Sequence, residues 1–139
     1  MGPSTGDIEF VAGHTSAAMI TTTTDGTAKV GVAVIDGKIW VSGTEDRVRT
    51  KRLRRDPRCT LYVHDDAMSW VALESTVTIL DGPEVPALSV RLFRQMQGKP
   101  TGALSWFGGE LTERQFEQRM LDEGRIIYQF EVRRSYGLH

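Results

Sequence analysis

The chain has no asparagine, a single cysteine and no apolar run near the roughly 20 residues that cross a bilayer. Each absence excludes something. Without asparagine there is no N-glycosylation acceptor. Cys59 has no intrachain partner for a disulfide. At the start of an expected strand it reads as a small buried hydrophobe, not a reactive thiol, and cytoplasm is the compartment this implies. The stretch "MGPSTGDIEF" lacks the basic start and apolar core of a signal peptide. Walker loop, HExxH and CxxC are all missing. The glycines of "GKPTGALSWFGG" have the wrong spacing for a dinucleotide fingerprint, and they follow an expected helix where the fingerprint follows a strand. The histidines at 14, 64 and 139 are scattered, and "HDD" at 64–66 reads as a solvated turn, because three adjacent residues seldom close one coordination sphere. No nucleophile, base and orienter can be assembled, so no catalytic or metal-ligating residue is assigned. An enzyme with this sequence would draw its reactivity from a cofactor.

What is present is an ordinary globular composition, 40% hydrophobic and 25% charged over 139 residues, without repeats or linker-like shifts. One domain, 1–139, is expected. "GDIEFVAGH" suggests a short first helix with Asp7 as N-cap. "AAMITTTT", "AKVGVAV" and "KIWVSG" follow as alternating strands, separated by the hairpin signals Asp25-Gly26 and Asp36-Gly37. Ser42 and Glu45 fit a capping box, with Thr44 the competing N-cap, for a helix ending near Arg55 before Pro57. "RCTLYVHDD" and "MSWVALESTVTILDG" are the next strands. In "PEVPALSVRLFRQMQG", Leu88, Leu92, Phe93 and Met96 share one helical face. "LTERQFEQRMLDEG" carries a capping box at Thr112 and Gln115, a staple of Leu111 with Phe116, and a stop at Gly124. "RIIYQFEVRRSYG" closes the chain with Ile126, Tyr128, Phe130 and Val132 on one face. Six strands joined mainly by hairpins exclude a doubly wound parallel sheet. A mainly β architecture follows, a six-stranded antiparallel barrel with helices at its openings. Glycines at 102, 108 and 109 flank Trp106 and Phe107, which suits either an aromatic lid over a planar substrate or ordinary packing beneath the last helix.

The charge is unevenly placed. Residues 47–58 hold seven basic side chains against Asp56 alone, a local +6, and the chain's −1 leaves −7 for the rest. Three readings compete. The cluster is a solvated face, or it neutralises nucleic-acid phosphates, or it binds one small phosphorylated cofactor. An acidic remainder without an aromatic stacking series speaks against nucleic acid. The helix opens directly off a strand, so its first amides, Ser42, Thr44, Arg47 and Arg49 can meet at one anion.

The string "VSGTEDRVRTKRLRRDPRCTLYV", followed by "WVALESTVTI" and the terminal "RRSYGL", resembles the split β-barrel flavin and deazaflavin oxidoreductases related to pyridoxamine 5'-phosphate oxidase. "LRRDPR" is most similar to the actinobacterial branch that uses coenzyme F420, and thirteen arginines against four lysines agree with a GC-rich source. The resemblance implies an FMN-binding split-barrel fold and a homodimer with cofactor sites at the subunit interface. It implies hydride transfer from reduced F420 to a small electron-poor acceptor such as a conjugated lactone, quinone or tetrapyrrole. FMN, or carriage of the cofactor without turnover, is the alternative. The cofactor-binding positions it implies are Ser42, Gly43, Thr44, Arg47, Val48, Arg49, Arg52 and Trp70. Arg49 stands where the family usually has Lys, Arg52 where it has Asn, and Trp70 matches an aromatic that in some relatives comes from the partner subunit. The segment between the two Asp-Gly signals is shorter than in relatives and lacks their proline and aromatics.

Overall fold

The computed structural model describes residues 4–21 and 27–139. Among them lie four helices, α1 (Thr5–Ala12), α2 (Val48–Arg55), α3 (Val85–Gln97) and α4 (Glu113–Asp122). The strands are β1 (Ser16–Thr21), β2 (Thr27–Gly31), β3 (Ala33–Ile35), β4 (Lys38–Thr44), β5 (Arg58–His64), β6 (Trp70–Leu80), β7 (Leu104–Trp106), β8 (Gly109–Leu111) and β9 (Arg125–Leu138). None of these helices is long and apolar enough to cross a membrane.

Seven strands form one antiparallel sheet in the order β2-β1-β5-β6-β9-β4-β3. The expected strand "AKVGVAV" is therefore two. It breaks at Val32, a fully buried residue whose amide donates to the Thr15 carbonyl at 3.0 Å. Residues before the break pair with β1, and residues after it pair with β4 at the far edge. A single residue joins the two edges, so the sheet must curl until they meet. Alternation explains the filling. Met19, Val41, Leu61, Leu73 and Tyr128 come from successive strands and point into one buried core. The opposite face of β4 carries Trp40, which packs with Ile127 and Leu92 beneath α3 and donates from Nε1 to Gln129 Oε1 at 3.0 Å. Three more expectations are revised. Ser4, not Asp7, caps α1 by accepting from the Asp7 amide at 3.1 Å, which frees the Asp7 carboxylate to hold the end of β9 through Ser135 and His139. Neither Ser42 nor Thr44 caps α2. Both stay in β4, paired with β9 through Thr44–Arg125, and the N-cap is Arg47. Residues 104–111 form the β7–β8 hairpin, which with the break at Val32 gives nine strands among the described residues where six were expected.

Asp36 and Gly37 make the expected tight turn, with φ of 52° and 76° as a type I′ hairpin requires. The Thr112–Gln115 capping box is present in both directions. The Asp25-Gly26 turn lies outside the described residues.

Candidate functional site

The cluster of cations sorts into two parts. Arg54 binds Glu45 and Asp81 at 2.8 Å and 3.1 Å, and Arg58 binds Asp56 at 2.7 Å, so these two later members of the cluster are neutralised by their own surroundings. Arg47 and Arg49 have no carboxylate within ion-pair distance among the described residues. Both line a cavity of about 270 Å³ at the start of α2, with Lys29 of β2 and Arg125 of β9. Among the described residues Arg125 alone of these four has an ion-pair partner, Glu123 at 2.8 Å. Four cations thus face one carboxylate.

Two buried atoms of residues that line this cavity have no hydrogen-bond partner among the described residues, Ser42 Oγ and Arg49 Nε. Such orphans are rare because each costs about 1–3 kcal/mol of lost solvation, and they demand an explanation. The helix start adds more donors. No side chain caps α2. The amides of Val48 and Arg49 have no acceptor inside the helix. Arg49 is held in place from below by the Tyr128 ring, 5.7 Å from its guanidinium carbon. Tyr128 in turn is fully buried and bonded through its hydroxyl to Thr50 Oγ1, which donates to the Thr44 carbonyl at 2.6 Å. An anionic oxygen placed here would meet the free amides of α2 and offset the repulsion among the cations that line the cavity. The donor set therefore fits a phosphate-bearing cofactor.

The other wall is apolar. Val30, Phe93, Met96, Trp106 and Phe107 line it. Trp106 packs edge-on against Phe93 and Phe116, donates to Glu123 at 3.0 Å and lies under Arg125. Ordinary packing beneath the last helix is thus what the structure shows for Trp106. One wall of the cavity is cationic and the other apolar and aromatic, the chemistry that suits an anion joined to an apolar, planar group.

Larger hollows lie elsewhere, one of about 400 Å³ beside Arg58 and Arg133 and one of about 520 Å³ beside Arg91 and Arg94. Their cations are already paired, with Asp56, Glu131, Asp36 and Glu113. They carry no orphaned donor among the described residues.

Of the expected site residues, Ser42, Arg47 and Arg49 line the cavity. Val48 exposes its side chain and can offer only its amide. Gly43 serves packing, since a Cβ there would lie 2.5 Å from Tyr128. Thr44 turns its hydroxyl to Asp46 Oδ1 at 2.7 Å, which holds the Asp46 carboxyl below its usual range. Arg52 and Trp70 are outside the lining, and Trp70 begins β6 next to Tyr62. Lys29, Val30, Gly31, Phe93, Met96, Trp106, Phe107 and Arg125 complete the lining.

The fold is the split β-barrel, a curled antiparallel sheet on which flavin-, deazaflavin- and heme-binding proteins are built. The chain is similar to a conserved hypothetical protein of Mycobacterium tuberculosis, Rv2991, with a TM-score of 0.73, 23% identity and coverage of 99% of this chain and 84% of that one. An F420 reductase aligns with a TM-score of 0.66 and 13% identity over 92% of this chain and 94% of that one. A FAD-binding protein from Mesorhizobium loti aligns with a TM-score of 0.63 and 10% identity, covering 97% and 92%. Heme-binding proteins share the fold as well. No family model matches the sequence.

Proposed function

We propose that the chain is a deazaflavin-dependent oxidoreductase that uses coenzyme F420 and passes a hydride to a small, electron-poor organic acceptor. The observation that carries this reading is the convergence of Lys29, Arg47, Arg49 and Arg125 on one cavity at the uncapped start of α2, with two unpartnered polar atoms, Ser42 Oγ and Arg49 Nε, buried in its wall. Arg47, Arg49, Ser42 and the Val48 amide would hold the phosphate, with the apolar wall beside them for the ring system. Bound and reduced, the deazaflavin supplies the hydride. The chain's part is to fix the anion, exclude water along the Phe93–Trp106 wall and set a positive field. No side-chain acid or base is required for that work. At about 270 Å³ the cavity is smaller than most ligand pockets, so the ring site needs a second wall. We assign that wall to a second copy of the chain in a homodimer. The outer face of the sheet suits the contact, because Ala18, Tyr62, Ala72 and Tyr136 stand in one row across β1, β5, β6 and β9.

FMN carries a phosphate too and is the alternative ligand for the same donors. Heme would need an axial ligand, and the soft donor on the lining is the Met96 thioether. Titration of the purified chain with F420, FMN and heme separates the three. F420 is expected to bind, and Arg49→Ala to weaken it roughly ten- to a hundredfold, the worth of one charge-assisted hydrogen bond. Arg55→Ala should leave it unchanged. Equal losses at both positions would mean that a diffuse field attracts the anion. Turnover of reduced F420 with a panel of lactones, quinones and tetrapyrroles then tells an enzyme from a carrier.

A further inference from the structure

Two hairpins in this chain use the same turn. Asp36-Gly37 does so with the residues a type I′ turn favours. Phe107-Gly108, between the paired Trp106 and Gly109, repeats it with φ of 46° and 81° but places an aromatic where Asn or Asp belongs. A bulky side chain in the left-handed region is strained. Burial does not compensate for it, because Phe107 is 87% exposed and touches Trp106 edge-on at 5.0 Å. Local preference and solvation both disfavour phenylalanine at this position.

The hairpin is also held firmly. Gln97 Nε2 donates to the Ser105 carbonyl and the Ser105 amide donates to Gln97 Oε1, both at 2.9 Å. Lys99 Nζ donates to Ser105 Oγ at 2.7 Å, and Trp106 is fixed through Glu123. These bonds make a rigid arm and not a swinging lid. Phe107 at its tip lines the same cavity as Ser42, Arg47 and Arg49.

We propose that Phe107 is a specificity-determining residue that contacts the planar aromatic part of the ligand whose anion Arg47 and Arg49 hold. The assignment rests on the site reading above. A strained conformation presents the ring in advance, so little order is lost when a flat partner stacks on it.

The test is Phe107→Asn, which gives the turn its preferred residue and removes the ring. Its melting temperature should rise by about 2–4 °C. Its affinity for F420 should fall about tenfold, with affinity for inorganic pyrophosphate unchanged. Phe107→Trp should keep the F420 affinity. The ring-bearing anion 8-anilinonaphthalene-1-sulfonate, displaceable by pyrophosphate, supplies a second probe that does not presuppose the cofactor. Its affinity should also drop in Phe107→Asn. Failure of the wild-type chain to bind F420, FMN or heme, with the dye still bound and Phe107-dependent, would refute the proposed function and leave this inference standing. Undiminished affinity of Phe107→Asn for both F420 and the dye would overturn the inference. So would loss of self-association in sedimentation with ligand affinity unchanged, since a second copy would then cover the ring.

Discussion

Gly43→Ala should be among the most damaging single-methyl additions available to this protein. The glycine is on β4 with a backbone that any residue adopts, so the effect is steric and not conformational. A methyl there would lie 2.5 Å from Tyr128 Cζ and Oη and 2.6 Å from Cε2. The ring cannot simply retreat, because Tyr128 is 0% exposed and its hydroxyl is tied to Thr50, itself bonded to the Thr44 carbonyl. Overpacking of this kind costs about 1–3 kcal/mol, and the tethered ring argues for the upper half. For a domain of this size that is a fall in Tm of about 5–12 °C. Urea unfolding of Gly43→Ala, Tyr128→Leu and the double variant would read the coupling between them. The added methyl should cost less than half as much in the Tyr128→Leu background as in the wild-type chain. A loss below about 0.5 kcal/mol in the wild-type background, or full additivity, would refute the steric account. The same displacement should weaken anion binding, because Arg49 rests on the Tyr128 ring.

Burial pushes the Cys59 thiol up to about 12, so iodoacetamide should leave the native chain unmodified at about pH 8 and react at once in denaturant. Hydrogen bonds from Ser135 and then His139 hold Asp7 below its ordinary value of 3.8. Its contribution to stability is whole above that value and disappears as acid protonates the folded protein. Asp7→Asn should therefore destabilise at about pH 7, with a cost that shrinks progressively as the pH falls below 3.8, measured by chemical denaturation along the series.

The sequence exposed those parts of the fold whose cause is local. The Thr112–Gln115 box and the Asp36-Gly37 turn are set by residues that touch one another, and both stand where their spacing places them. The start of α2 misled because Ser42 and Glu45 have the right spacing for a cap, yet pairing of Ser42 with Ile127 and Thr44 with Arg125 extends the strand past them. That pairing reaches across more than eighty residues, beyond any local pattern. Val32 hides for another reason. It continues the alternation of Val30 and Val34, although the ladder changes partners there. At the site, Arg47 and Arg49 were visible as a charge cluster beside a helix start. Lys29 and Arg125 come from β2 and β9, and only the curled sheet brings them to the same cavity. Phe107 showed in the sequence as an aromatic among glycines, but its positive φ and its exposure belong to the structure.

The join at Val32 makes the two margins of the sheet answerable to each other. Lys29, Val30 and Gly31 belong to one margin, Ser42 lies on the strand next to the other, and all four border the same cavity. A ligand lodged there acts as a clasp across the seam. Its presence should therefore register in places it never touches. Amide hydrogens of β3, paired only on the β4 side, should exchange with deuterium more slowly once the anion is bound. Those of β6, already enclosed between β5 and β9, should keep their rates.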